Sequence, residues 1–235
     1  MNQDQSKPVT ENDKQTYRRI RKAIGWLGLG LPLVLIILSQ IPFFDTKLQP
    51  SISHFYYTNF RELFTGVICA VSLFLIRYRG YSNPVFWKND NIMTNIAGTM
   101  ALGVALIPTN PIKAGDKIYT FIPSNEIWLG GLHYFFAGSF FFILALIAII
   151  IFPLGQHKDS KIELSMMNEN NIYKICGYSM ILFLILVPLS HFPYSTLVFE
   201  ALALLAFGIA WLIKGRALGD TGAMGKMLYR EDNKE

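Results

Sequence analysis

Six stretches of this chain are apolar for long enough to need a membrane or the inside of a helical bundle. They are Ile24 to Phe43, Phe60 to Tyr78, Ile92 to Pro108, Ile127 to Phe152, Ile172 to Ser190 and Leu197 to Ile213. A helix crosses a hydrocarbon core about 30 Å thick with about 20 mostly apolar residues. Inside lipid every backbone N–H and C=O must be satisfied within the chain, which leaves helices or closed barrels. Runs of this length predict an all-α integral membrane protein, a six-transmembrane-helix bundle with the N-terminus in and the C-terminus in. The expected divisions are a polar cytoplasmic N-tail over 1–23, a six-helix membrane domain over 24–213 and a cytoplasmic C-tail over 214–235.

Composition agrees. Hydrophobic residues make up 52% of the chain and charged residues 16%, against about 25% charged in soluble domains. The first apolar run is too long for a signal-peptide core and has no small-residue cleavage site after it, so it is expected to stay as a helix. Cys69 and Cys176 fall inside apolar runs at different expected depths, which speaks against a disulfide.

The charges set the orientation. Of the 21 Lys and Arg, all but Lys47, Arg61, Lys113 and Lys117 fall on the side of the two termini. Cytoplasmic loops carry the excess of Lys and Arg in membrane proteins, so that side is expected to be cytoplasmic. The net charge of +5 therefore reflects flanking residues of spans. No basic stripe interleaves with exposed aromatics, so no nucleic-acid partner is expected. Membrane lipids are the expected partners, with homo-oligomerisation left open, and the expected location is a bacterial cytoplasmic membrane.

The third run is the thinnest, because Thr94, Asn95, Gly98, Thr99 and Gly103 interrupt it. Small and polar residues suit a helix buried among others, and a re-entrant segment is the alternative. In the C-tail, Ala223 to Arg230 reads either as a short interfacial helix or as an unstructured tail.

Ionisable residues in or at the rim of a span are costly and mark candidate sites. Here they gather toward the non-cytoplasmic side: His54, Arg61, Glu62, Asp116, His133, His191 and Glu200, with Glu126 nearby. His133 lies about 9 Å into the fourth span at 1.5 Å per residue. Glu200 sits in the otherwise apolar Leu197–Leu205 run and must face the bundle. Arg61 offers a bidentate donor for a lipid phosphate, or a bridge to Glu200 or Asp116. His54, His133 and His191 with nearby carboxylates are the right types for a zinc ion, which would activate a water for hydrolysis. The ligands are scattered and include no His-x-x-x-His pair. The expected activity is lipid interaction through this cluster; a zinc-dependent hydrolase of lipid amides or esters and a small-solute transporter are the alternatives. No motif fixes a reaction.

Several short elements carry a resemblance: Pro50-Ser51-Ile52-Ser53, Phe60-Arg61-Glu62-Leu63-Phe64-Thr65-Gly66, Tyr78-Arg79-Gly80-Tyr81, and Asn95-Ile96-Ala97-Gly98 leading to Leu106-Ile107-Pro108-Thr109. Over roughly residues 24–140 the chain resembles bacterial six-helix membrane proteins and, distantly, the DRAM-type family, which includes autophagy modulators and GPI-lipid remodelling proteins. The resemblance implies a six-helix fold and a link to lipids, and it assigns no catalytic residue. The ceramidase-like hydrolases, with Ser, Asp and three His around zinc, are a remoter analogy, since this chain lacks their seventh helix and paired histidines.

Overall fold

A computed structural model describes residues 11–80, 82–111, 127–154, 168–219 and 223–229. Among these the fold is all helical, without strands. Helix α1 spans Glu11–Leu38, α2 Arg61–Arg77 and α3 Asp90–Leu106. Helix α4 spans Ile127–Leu146 and continues through a π-helical turn, Ile147–Ile151, into Phe152–Leu154. Helices α5, Glu169–Leu189, and α6, Ser195–Lys214, follow, and a short α7 covers Ala223–Leu228. Four of these, α1, the α4 run, α5 and α6, are long and apolar enough to cross a membrane. Helices α2 and α3 have 17 residues each.

Local chemistry sets the ends. Asn89 caps α3 by accepting from the Ile92 amide, and Asn168 caps α5 by accepting from the Asn170 amide. These side-chain oxygens satisfy donors that the first helical turn leaves orphaned. Helix α1 gives way to a short 3-10 turn at Pro42–Phe44, where proline stands at the first positions and a left-handed Asp45 reverses the chain. Between α5 and α6 a left-handed Tyr194 makes the turn, and Ser195 Oγ donates to the Ser190 carbonyl across it.

Neighbouring helices pack in the order α2–α3–α4–α5–α6–α1, with α1 also against α2. The chain therefore runs up and down, and its ends fall into two groups. The near end holds the start of α1, the α2–α3 connection and the end of α6. The far end holds residues 39–60, the exit of α3, the start of α4 and the α5–α6 turn.

Close approach depends on small residues. Gly25 on α1 and Gly208 on α6 face each other, and a Cβ at Gly208 would stand 2.7 Å from the Leu29 amide nitrogen and 2.8 Å from the Gly25 carbonyl oxygen. Gly98 on α3 lies against α2, where Ser72 Oγ donates to its carbonyl at 2.6 Å.

One expectation needs correction, and two others are decided between their alternatives. Helix α1 begins at Glu11, well inside the stretch read as a polar tail, and ends at Leu38 rather than Phe43. The helix is held to the bundle through Arg21, whose guanidinium bonds the Tyr78 hydroxyl. The third run forms one uninterrupted helix, in line with its first reading; Thr94 and Gly98 are buried, whereas Asn95 and Thr99 point outward one turn apart. Of the two readings of the C-terminal segment, the helix forms, and Tyr229, just beyond it, is fully buried and donates to the Ile213 carbonyl at 3.0 Å.

Candidate functional site

The far end is organised by one short stretch, Pro50 to Tyr57. Its Ser53–Tyr57 segment forms a 3-10 turn, and four other parts of the chain hold it. The Leu197 amide donates to the Pro50 carbonyl, and the Ile52 amide donates to Glu200 Oε2 at 2.7 Å, both from the side of α6. The backbone of Ser53 adds a second contact to the same carboxylate. Tyr57 donates its hydroxyl to the Thr109 carbonyl, beyond the end of α3. Burial of that phenol pushes its pKa up to about 12, so it remains a donor across the physiological range.

Two serine–histidine couples sit in this stretch. In the first, Ser51 Oγ lies 2.6 Å from His54 Nδ1. The His54 ring also bonds the Asn110 carbonyl. A carbonyl only accepts, so the ring proton is on the nitrogen facing Asn110, and Ser51 donates to the other. Burial lowers the His54 pKa below its ordinary 6.5, with the bond to Asn110 opposing the shift. In the second couple, His133 Nδ1 lies 2.6 Å from the Ile107 carbonyl and His133 Nε2 lies 3.0 Å from Ser53 Oγ. The same argument puts the proton on Nδ1, leaves Nε2 as an acceptor, and makes Ser53 the donor. His133 is 2% exposed and Ser53 8%.

A small pocket, partly open to the surface, lies beside the second couple, with a cavity volume of about 30 Å³. Its walls are Ile52, Phe64, Ile68, Val104, Ala137, Phe140, Phe141 and Leu204, and its only polar lining comes from Ser53 and Glu200. An apolar cleft with a few converging polar groups is the usual form of a small-molecule site.

The expected residues divide on these grounds. His54, His133 and Glu200 converge on the 50–57 stretch. Arg61 opens α2 beside them, its guanidinium 5.6 Å from the centre of the Tyr56 ring, a cation–π distance. Glu62 is exposed, and His191 is exposed in the α5–α6 turn. Asp116 and Glu126 lie outside the described residues. The three-histidine zinc set is therefore not assembled: His191 stands apart, and His54 and His133 each have both ring nitrogens engaged. No group of three metal-ligating side chains occurs among the described residues.

Sequence reasoning missed Ser51 and Ser53 as partners of the histidines. The signal was present in Pro50-Ser51-Ile52-Ser53-His54, since alternate hydroxyls can face different neighbours. It also missed a second polar centre, at the near end. There Tyr78 accepts from Arg21 Nε at 3.0 Å and Nη2 at 2.7 Å and donates to Asp90 Oδ2 at 3.0 Å. Tyr173 donates to Glu169 Oε2 at 3.1 Å, and Lys214 Nζ donates to the Phe152 carbonyl at 2.6 Å. Asp90 and Glu169 are buried. The expectation that ionisable chemistry is concentrated at the far end is thus corrected: both ends hold a buried polar centre. In the sequence, the near-end charges read as flanks of spans, which hid their pairing.

No family model, curated protein or solved structure matches this chain.

Proposed function

We propose that this chain is a six-span membrane protein with both termini cytoplasmic, and that a lipid acyl chain lies against its outward-facing far end with one part seated in the small pocket there. The observation that carries the reading is the pocket itself, apolar on every wall except at Ser53 and Glu200. A lipid has matching chemistry: a hydrocarbon chain for the walls, and an ester, amide or hydroxyl for the two polar groups. The large exposed residues of the helices, among them Ile37, Leu73, Phe135, Tyr178 and Leu182, give the bundle an apolar exterior, which favours lipid as its solvent.

Six spans require α2 and α3 to cross as well. At 17 residues and 1.5 Å per residue, each is roughly 26 Å long, near the lower limit for a span. Both are flanked on both sides by bundle neighbours, and a short helix inside a bundle tolerates mismatch that a lone helix does not. The Lys and Arg excess on the side of the termini supports the orientation. The resemblance to DRAM-type proteins points to the same link with lipids.

The test is lipid retention. Wild-type protein purified in mild detergent is expected to carry acyl lipid detectable by native mass spectrometry. Ala137→Trp, which fills the pocket from its small wall, is expected to reduce that occupancy about ten-fold, equivalent to about 1.4 kcal/mol. Equal lipid on wild type and Ala137→Trp would contradict the proposal.

A further inference from the structure

We propose that Ser53 and His133 form a nucleophile–base pair, and that the seated lipid is a substrate whose acyl group Ser53 accepts. This rests on the reading of the pocket as an acyl-chain site and adds a reaction to it.

Three observations point the same way. Ser53 lines the pocket, and its hydroxyl is 3.0 Å from His133 Nε2. That is within reach for a base to take the serine proton. The far side of the imidazole is fixed by a 2.6 Å bond from Nδ1 to the Ile107 carbonyl, which holds the tautomer with Nε2 unprotonated. A nucleophile, a base and a third group that orients the base are the parts an activated serine needs. The neighbouring couple supplies an internal comparison. Ser51 and His54 are bonded as closely, but neither lines the pocket. Of the two serines, only Ser53 borders the pocket.

The reaction balances with water as co-reactant. Ser53 Oγ attacks the acyl carbonyl carbon of a lipid ester, and its proton moves to His133 Nε2. The tetrahedral intermediate collapses, the bond to the alcohol oxygen breaks, and the departing alcohol takes that proton. A water then attacks the acyl–Ser53 ester, again giving a proton to His133, which returns it to Ser53 Oγ as the fatty acid leaves. The oxyanion has a donor at hand in the Ile52 amide, which in this structure is held by Glu200 Oε2.

The experiment uses the full chain in detergent or nanodiscs, with a long-chain alkyl fluorophosphonate and p-nitrophenyl laurate as probes. Wild type is expected to be labelled at Ser53, located by peptide mapping, and to release p-nitrophenol. Ser53→Ala is expected to abolish both signals. His133→Asn retains an N–H for the Ile107 carbonyl but removes the base, and is expected to slow both by roughly 10²–10⁴-fold, the range of general-base catalysis. Ser51→Ala is expected to keep labelling and turnover near wild type. The pair is overturned if folded wild type shows neither signal, if Ser53→Ala retains them, or if a folded His133→Asn keeps the wild-type rate. Lipid retained equally by wild type and Ser53→Ala, with no labelling or turnover in either, removes the reaction and leaves the pocket reading intact. Loss of the pocket reading is read separately, from Ala137→Trp.

Discussion

His54 and His133 meet the same kinds of partner, and burial holds His54 below its ordinary pKa. Each bonds a backbone carbonyl on one side and a serine on the other. Burial disfavours the charged imidazolium at His54, and the bond to the Asn110 carbonyl offsets part of that cost. The folded protein therefore binds a proton at His54 less readily than the unfolded chain, whose value is 6.5. As pH falls, the unfolded chain takes up its proton first. The contribution to stability is complete above about pH 6.5 and declines as pH falls below it. Thermal melts in detergent at pH 7.5 and 5.5 should show a lower midpoint at acid pH, and His54→Gln should narrow that difference. An unchanged pH dependence in His54→Gln would contradict the assignment.

Gly80 gives a second test at this scale. A Cβ there would overlap the Asp90 carboxylate, which receives the Tyr78 hydroxyl, and the Gly80 amide itself donates to Asn91 Oδ1. Gly80→Ala should lower stability by about 1–3 kcal/mol, seen as a lower melting midpoint, while Asn83→Ala, further along the loop, should cost less. Single residues were legible in the sequence where a charge interrupts an apolar run, as with His133 and Glu200. Ser51 and Ser53 were not, because a loop hydroxyl looks the same whether it meets water or an imidazole. The near-end acids Asp90 and Glu169 were hidden for a related reason. An acid in the first turn of a helix is ordinary chemistry, and nothing local says that it will be buried.

At the scale of the helix, the apolar runs located every long element, since a run of that length has few other ways to satisfy its backbone. Boundaries moved where capping or tertiary contact decided them: α1 extends back to Glu11, and α5 starts at Glu169 because Asn168 caps it. What the runs could not convey is which faces meet. Gly25 and Gly208 sit in unrelated stretches, and only the fold brings α1 and α6 close enough for a Cβ to meet backbone. Backbone atoms cannot rotate aside as a side chain can. Gly208→Val should therefore push these helices apart and cost about 1–3 kcal/mol, measured as a lower melting midpoint. Gly138→Val, where a Cβ meets nothing within 4 Å, should leave the midpoint almost unchanged.

For the whole molecule, the two buried polar centres lie at opposite ends of the helices. The near-end centre joins α1, α3 and α6 through Arg21, Tyr78, Asp90 and Lys214, and meets α5 where Lys214 Nζ lies 5.4 Å from the centre of the Tyr173 ring. The far-end centre joins the 50–57 stretch to α3, α4 and α6 and borders the pocket. The proposed topology places a membrane between them, with the pocket facing outward. Phe43 at the far end and Leu218 at the near end are both exposed, so each can report its side. In a background with Cys69 and Cys176 changed to alanine, Phe43→Cys should react with a membrane-impermeant maleimide in right-side-out vesicles and not in inverted ones. Leu218→Cys should show the reverse. Labelling of both positions from the same side would contradict the account.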